Sequence, residues 1–166
     1  MTDRPPEQQP GTGQPAAEDV AMRAELPADL ISAGQARSAI RGALTAWGMD
    51  RLSGDAELLA SELVANAAEH ADGHSIGLAM RRHTGPGGRP GITCEVTDTS
   101  PATPQRAEPG PDTERGRGLA IVHALANSSG VRATQGGKTS WFTLALTDRA
   151  HRIARQIEHD EPEAGG

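Results

Sequence analysis

Residues 61–70 read SELVANAAEH, and four of them carry groups that can bind metal or move protons. Glu62, Asn66, Glu69 and His70 stand at i, i+4, i+7 and i+8. On a helix they share one face, roughly opposite a stripe of Leu59, Leu63 and Ala67. Two readings are open. The face is simply solvated, the commoner fate of polar helix positions, or Asn66 offers an amide oxygen to Mg²⁺ while Glu62, one turn earlier, orients or deprotonates a nucleophile. A hard Mg²⁺ ion takes oxygen ligands and keeps waters and substrate phosphates, so one protein ligand can suffice.

Three further stretches invite the same scrutiny. Asp98 ends a strand-like run and leads into Thr99, Ser100 and Pro101; its carboxylate is either a turn cap or an acceptor for the exocyclic amine of a base. ERGRGLAIV (114–122) places Gly116 and Gly118 around Arg117 immediately before a helical pattern. That is either a flexible joint or a backbone cradle for an anion at a helix N-terminus. TQGGKTSW (134–141) looks like the end of a P-loop, but the position five residues before Gly137 is Arg132, not glycine. The following Ser140 to Leu144 alternate like a strand, whereas a P-loop opens into a helix. As a P-loop the stretch fails.

Other chemistries find less support. His70, His74, His83, His123, His151 and His159 show no paired ligand spacing with cysteine, so a structural zinc is not expected. There is no G-x-S-x-G, and the single cysteine, Cys94, falls on the inward side of a strand. It excludes an internal disulfide framework and suits a reducing cytoplasm. A net charge of −6 argues against a nucleic-acid backbone as the main partner, because phosphate neutralisation needs clustered Lys and Arg. No apolar run approaches a membrane span, and MTDRPPEQQP lacks the apolar segment of a signal peptide.

The elements that must position these groups follow from periodicity. The 166 residues are expected to form one domain, residues 20–148, between a disordered tail (1–19) and a weakly helical to disordered acidic tail (149–166). A short strand from Val20 or Met22 ends at Pro27. Ile31, Ala36, Ile40, Ala43, Leu44 and Trp47 recur at helical spacing, with Gly48 as the stop. A second helix starts at Ser53 or Asp55, buries Ala56, Leu59, Ala60, Leu63 and Ala67, and ends near His70. Ile76, Leu78 and Met80 make a strand; HTGPGGRPG (83–91) is a hairpin loop; Ile92, Cys94 and Val96 make the return strand. Residues 99–115, with four prolines, read as a long functional loop. A third helix begins near Gly116, and strands at about 131–135 and 140–147 flank an open GGKT. The fold class expected is α+β, with helices covering one face of a sheet.

E-x-x-x-N on a helix, D-x-x-P after a strand, a Pro-rich loop, G-x-G-L opening a helix and G-x-T before a last strand occur in that order. The combination resembles the GHKL ATP-binding superfamily (gyrase, heat-shock chaperone, histidine kinase and MutL types). Over about residues 20–147 it looks more closely like the anti-sigma-factor serine kinases of the sporulation and stress-response type and their actinobacterial relatives. The resemblance implies a two-layer α/β sandwich of the Bergerat type, with a mixed, mostly antiparallel sheet. It implies ATP and Mg²⁺ as cofactors, Asn66 as the metal ligand and Glu62 as the catalytic base. DTSP (98–101) matches the adenine-contacting box, and GRGL (116–119) the glycine pair that closes the ATP lid. The ATP-binding set so implied is Asn66, Asp98, Pro101, Arg115, Gly116, Arg117, Gly118, Leu119 and Thr139. Thr139 is expected beside the adenine with Asp98, while Gly137 permits close packing. The superfamily's adenine box often reads D-x-G-x-G; D-x-x-P is common in the small anti-sigma subgroup.

The activity implied is phosphorylation of a serine on an anti-sigma-factor antagonist protein, with a sigma factor as second partner, in the cytoplasm, and relatives suggest a homodimer. The alternative is an ATP-binding regulatory module that controls a partner without phosphoryl transfer. A histidine-kinase catalytic fragment would need a dimerising hairpin with a phosphoacceptor histidine upstream, which residues 1–19 are not expected to supply. A gyrase-like ATPase would need a transducer domain downstream.

Overall fold

A computed structural model describes residues 22–70, 74–99 and 114–146. In chain order these form β1 (Met22–Leu26), α1 (Ser32–Ala46), a short 3₁₀ turn (Asp50–Leu52), α2 (Ser53–His70), β2 (Ile76–Thr84), β3 (Pro90–Asp98), α3 (Glu114–Leu125), β4 (Ser128–Thr134) and β5 (Gly137–Ala145). The strands make one sheet in the order β1-β2-β3-β5-β4, and every neighbouring pair is antiparallel. The sheet is therefore antiparallel throughout rather than mixed. β3 and β4 do run in the same direction, but β5 lies between them, so β3–α3–β4 is a split βαβ unit.

Strand alternation decides which residues meet the helices. On β2 Ile76, Leu78 and Met80, on β3 Ile92, Cys94 and Val96, and on β5 Phe142 and Leu144 are all buried. They face Ala36, Ile40 and Leu44 of α1 and Ala56, Leu59, Ala60, Leu63, Val64 and Ala67 of α2, which are buried too. Each large aliphatic side chain removed from water in this way stabilises the fold by about 1.5–3 kcal/mol. Phe142, the only phenylalanine, is fully buried within this core. The opposite sheet face is polar. There Glu95 accepts from Arg81 Nη2 at 2.7 Å and from Arg132 Nη2 at 2.9 Å, the pattern of a sheet packed on one side only.

The helix ends follow their capping residues. Asp29 Oδ1 accepts from the backbone N–H of Ile31 (2.9 Å) and Ser32 (3.2 Å), holding the start of α1. Gly48, at φ +68°, ends that helix, and the Met49 N–H reaches back to the Leu44 carbonyl at 2.8 Å. Arg41 of α1 forks onto Glu57 of α2 at 3.0 and 2.5 Å, tying the two helices together. No helix among the described residues is long and apolar enough to cross a membrane.

Several expected boundaries move. Ile31 stands outside α1 and is 65% exposed, so it is no part of the buried stripe. The β2–β3 strands extend to Thr84 and from Pro90, leaving a tighter connection than 83–91. α3 begins at Glu114, so Gly116 and Gly118 lie inside its first turns instead of ahead of them. β4 and β5 are joined at Gln135 and Gly136, with Gly136 at φ +97°, and the Gly137-Lys138-Thr139 stretch is already strand. The expected tails, residues 1–19 and 149–166, and most of the long loop lie outside the described residues.

Candidate functional site

The sheet register brings the candidate residues to one end of the molecule. Gly77, at the start of β2, pairs with Thr97, near the end of β3. The C-terminal half of α2, which leads into β2, therefore lies at the same sheet end as Asp98. α3 packs against α2, and the start of β5 pairs with the end of β3. Glu62 and Asn66, Asp98, Gly118 and the GKT stretch consequently lie toward one end of the sheet, although they come from four elements.

Glu62 and Gly118 touch. A Cβ added at Gly118 would overlap Glu62 Oε2 and sit 3.3 Å from Glu62 Cδ. Glycine at 118 thus leaves the space that the Glu62 carboxylate occupies against the first turns of α3. Glu62, Asn66 and His70 are half-buried along one edge of α2, whereas Glu69 is exposed. The four-residue face expected from sequence narrows to three.

Asp98 is buried, 1% exposed, at the last residue of β3. Strand β5 can approach it only because residue 137 is glycine. A Cβ there would overlap the Asp98 carbonyl oxygen and stand 2.9 Å from Thr99 Cα. This is the close packing expected of Gly137.

The residue facing Asp98 is not the one expected. In register, Asp98 pairs with Lys138, and Lys138 Nζ lies 3.9 Å from Asp98 Oδ2. Thr139 pairs with Thr97, and their hydroxyl oxygens are 2.9 Å apart. Directly opposed side chains share a face and successive ones alternate. Asp98 and Lys138 thus project to the helix-covered side, and Thr97 and Thr139 to the other. Thr139, expected beside the adenine together with Asp98, stands one rung away from it and on the opposite sheet face. A strand starting at Ser140 leaves Lys138 outside it; carrying the alternation back two positions puts Lys138 in line with Ser140, Phe142 and Leu144.

Leu119, on α3, is 40% exposed. Pro101 and the side chains of Arg115, Gly116 and Arg117 lie outside the described residues. Among the described residues no group of three or more His, Cys, Asp and Glu side chains is placed to hold a metal. The donors at this end suit a nucleotide and a hard cation: an amide oxygen and a carboxylate on α2, and a buried carboxylate on β3. Cys94 takes no part. Burial, with the Glu95 charge second, pushes its thiol up to about 12.

An antiparallel five-stranded sheet with helices on one face and a polar cluster at one end makes an α+β sandwich. A family profile for the histidine kinase-like ATPase domain matches residues 26–163, and the chain belongs to that family. Among solved structures it is similar to the histidine kinase domain from Erythrobacter litoralis EL346 blue-light activated histidine kinase, at 20% identity and a TM-score of 0.47. The likeness covers 74% of this chain and 63% of that one. No match is found among curated proteins.

Proposed function

We propose that the chain binds Mg–ATP at this sheet end and phosphorylates a serine of a small antagonist protein, and that it thereby regulates a sigma factor in the cytoplasm, with two copies forming a dimer. The observation that carries the reading is the Glu62 carboxylate held against α3 at Gly118, one helical turn from Asn66. When bound, Mg–ATP would supply the phosphoryl group, with ADP as the leaving group as the bond to the serine oxygen forms, and its Mg²⁺ would offset the phosphate charge. Asn66 contributes an amide oxygen to the metal. Asp98 accepts a hydrogen bond from the adenine amine and so favours ATP over GTP. Glu62 orients the serine hydroxyl and takes its proton, a role that typically contributes about 10²–10⁴-fold in rate. The amide groups in the first turns of α3 favour negative charge.

Incubation with γ-labelled ATP, Mg²⁺ and candidate antagonist proteins of the same organism tests this reading. Transfer of label to a serine is expected from the parent. Glu62→Ala should abolish transfer with ATP affinity nearly intact, and Asn66→Ala should lose the Mg²⁺-dependent part of that affinity. ATP binding with no transfer to any antagonist would leave the chain a nucleotide-binding regulatory module.

A further inference from the structure

We infer that Lys138 is a specificity-determining residue that reads the base of the bound nucleotide together with Asp98, by donating from its ammonium to the N1 acceptor of adenine. The inference rests on the Mg–ATP reading above and extends it to the atoms of the base.

A lysine is an unusual occupant of this position. It is the second residue of β5, only 8% exposed, on the same sheet face as Phe142 and Leu144. Burying an ammonium among apolar side chains is costly unless a carboxylate faces it, and Asp98 does so across the ladder. Yet the two heads are 3.9 Å apart, beyond the roughly 2.7–2.9 Å of a charge-assisted hydrogen bond. They stand side by side, one an acceptor and the other a donor, on the same face of one rung. The Watson–Crick edge of adenine carries the complementary pair, an amine donor next to the N1 acceptor. Guanine offers a carbonyl and an N1–H in the same places, so both contacts would set like against like. Thr139 cannot make the second contact, because its hydroxyl is on the other sheet face with Thr97.

The competing role for Lys138 is plain neutralisation of Asp98, and base analogues separate the two. Calorimetry on the full chain would compare Mg–ATP with Mg–1-deaza-ATP, which keeps the amine but has C–H in place of N1. The parent should bind 1-deaza-ATP about ten- to a hundredfold more weakly, the loss expected for one charged hydrogen bond. Lys138→Met should bind the two nucleotides equally, at about the parent's affinity for 1-deaza-ATP, and Lys138→Arg should restore part of the preference. Equal affinities in the parent would overturn the inference while leaving Mg–ATP binding intact. So would a Lys138→Met protein that still prefers ATP, or one that loses both nucleotides by the same factor. Failure of the parent to bind either nucleotide would instead bring down the Mg–ATP reading. If circular dichroism shows that Lys138→Met does not fold, the parent's comparison alone decides.

Discussion

Gly137→Ala tests how closely β5 must approach the end of β3. Alanine suits a strand at least as well as glycine, so backbone preference alone would make the change neutral or favourable. The cost is steric. The new methyl would overlap the Asp98 carbonyl oxygen and come within 2.9 Å of both the Asp98 carbonyl carbon and Thr99 Cα. All three are backbone atoms, which cannot rotate away as a side-chain tip can. Non-bonded carbons settle near 3.5–4.0 Å, so the strands must part by roughly 1 Å. Overpacking of this kind costs about 1–3 kcal/mol. Parting the last rung, where Asp98 faces Lys138, loses roughly one further ladder hydrogen bond, about 1 kcal/mol net.

The sum is about 2–4 kcal/mol, or roughly a 10 °C fall in melting temperature for a domain of this size. Urea and thermal unfolding followed by tryptophan fluorescence would read it, since Trp141 lies on the same strand. Gly136→Ala is the control. Its φ is +97° but an added Cβ meets nothing, so it should cost only the backbone strain, about 1 kcal/mol. If Gly137→Ala proves no more destabilising than Gly136→Ala, the close approach inferred at Asp98 is wrong. Asp98 would also be displaced, so ATP affinity should fall in Gly137→Ala and hold in Gly136→Ala.

At Gly118 the balance reverses. A methyl there meets the flexible Glu62 carboxylate instead of backbone, so Gly118→Ala should leave the melting temperature unchanged or slightly raised while lowering phosphoryl transfer; a melting loss like that of Gly137→Ala would refute this. Phe142→Ala should destabilise by about 3–5 kcal/mol, measured by urea unfolding, because a fully buried ring leaves a cavity. Cys94 should resist alkylation in the native protein at pH 8, since burial raises its thiol from 9.0 to about 12. The unfolded chain loses that proton first, so the thiol's contribution to stability is full below about pH 9 and falls away as pH rises through about 12.

Much of this architecture was legible because periodicity and burial agree. The stripe Ala56, Leu59, Ala60, Leu63, Ala67 is buried at every position, and Gly48 does end α1. What was not legible is long-range. Nothing local in β4 or β5 says that β5 inserts between β3 and β4, because strand order is decided by which faces and edges remain to be covered after the helices pack. The contact between Glu62 and Gly118 is of the same kind: residues 56 positions apart in the chain meet only because α3 folds back across α2.

The GKT stretch shows how one local misreading propagates to the chemistry. Two glycines in succession look like a turn, and taking Gly137 as turn detaches Lys138 and Thr139 from the alternation that begins at Ser140. The hairpin needs only Gln135 and Gly136, with Gly136 at the positive φ that such a two-residue turn requires. Gly137 is then free for a different task, admitting the backbone of Asp98 and Thr99. Once it is strand, period-two alternation leaves no choice: Lys138 joins Phe142 and Leu144 on the covered face, and Thr139 joins Trp141 on the open one. The residue across from Asp98 therefore follows from where a turn ends, and a shift of one residue exchanges a neutral hydroxyl for a full positive charge beside the Asp98 carboxylate.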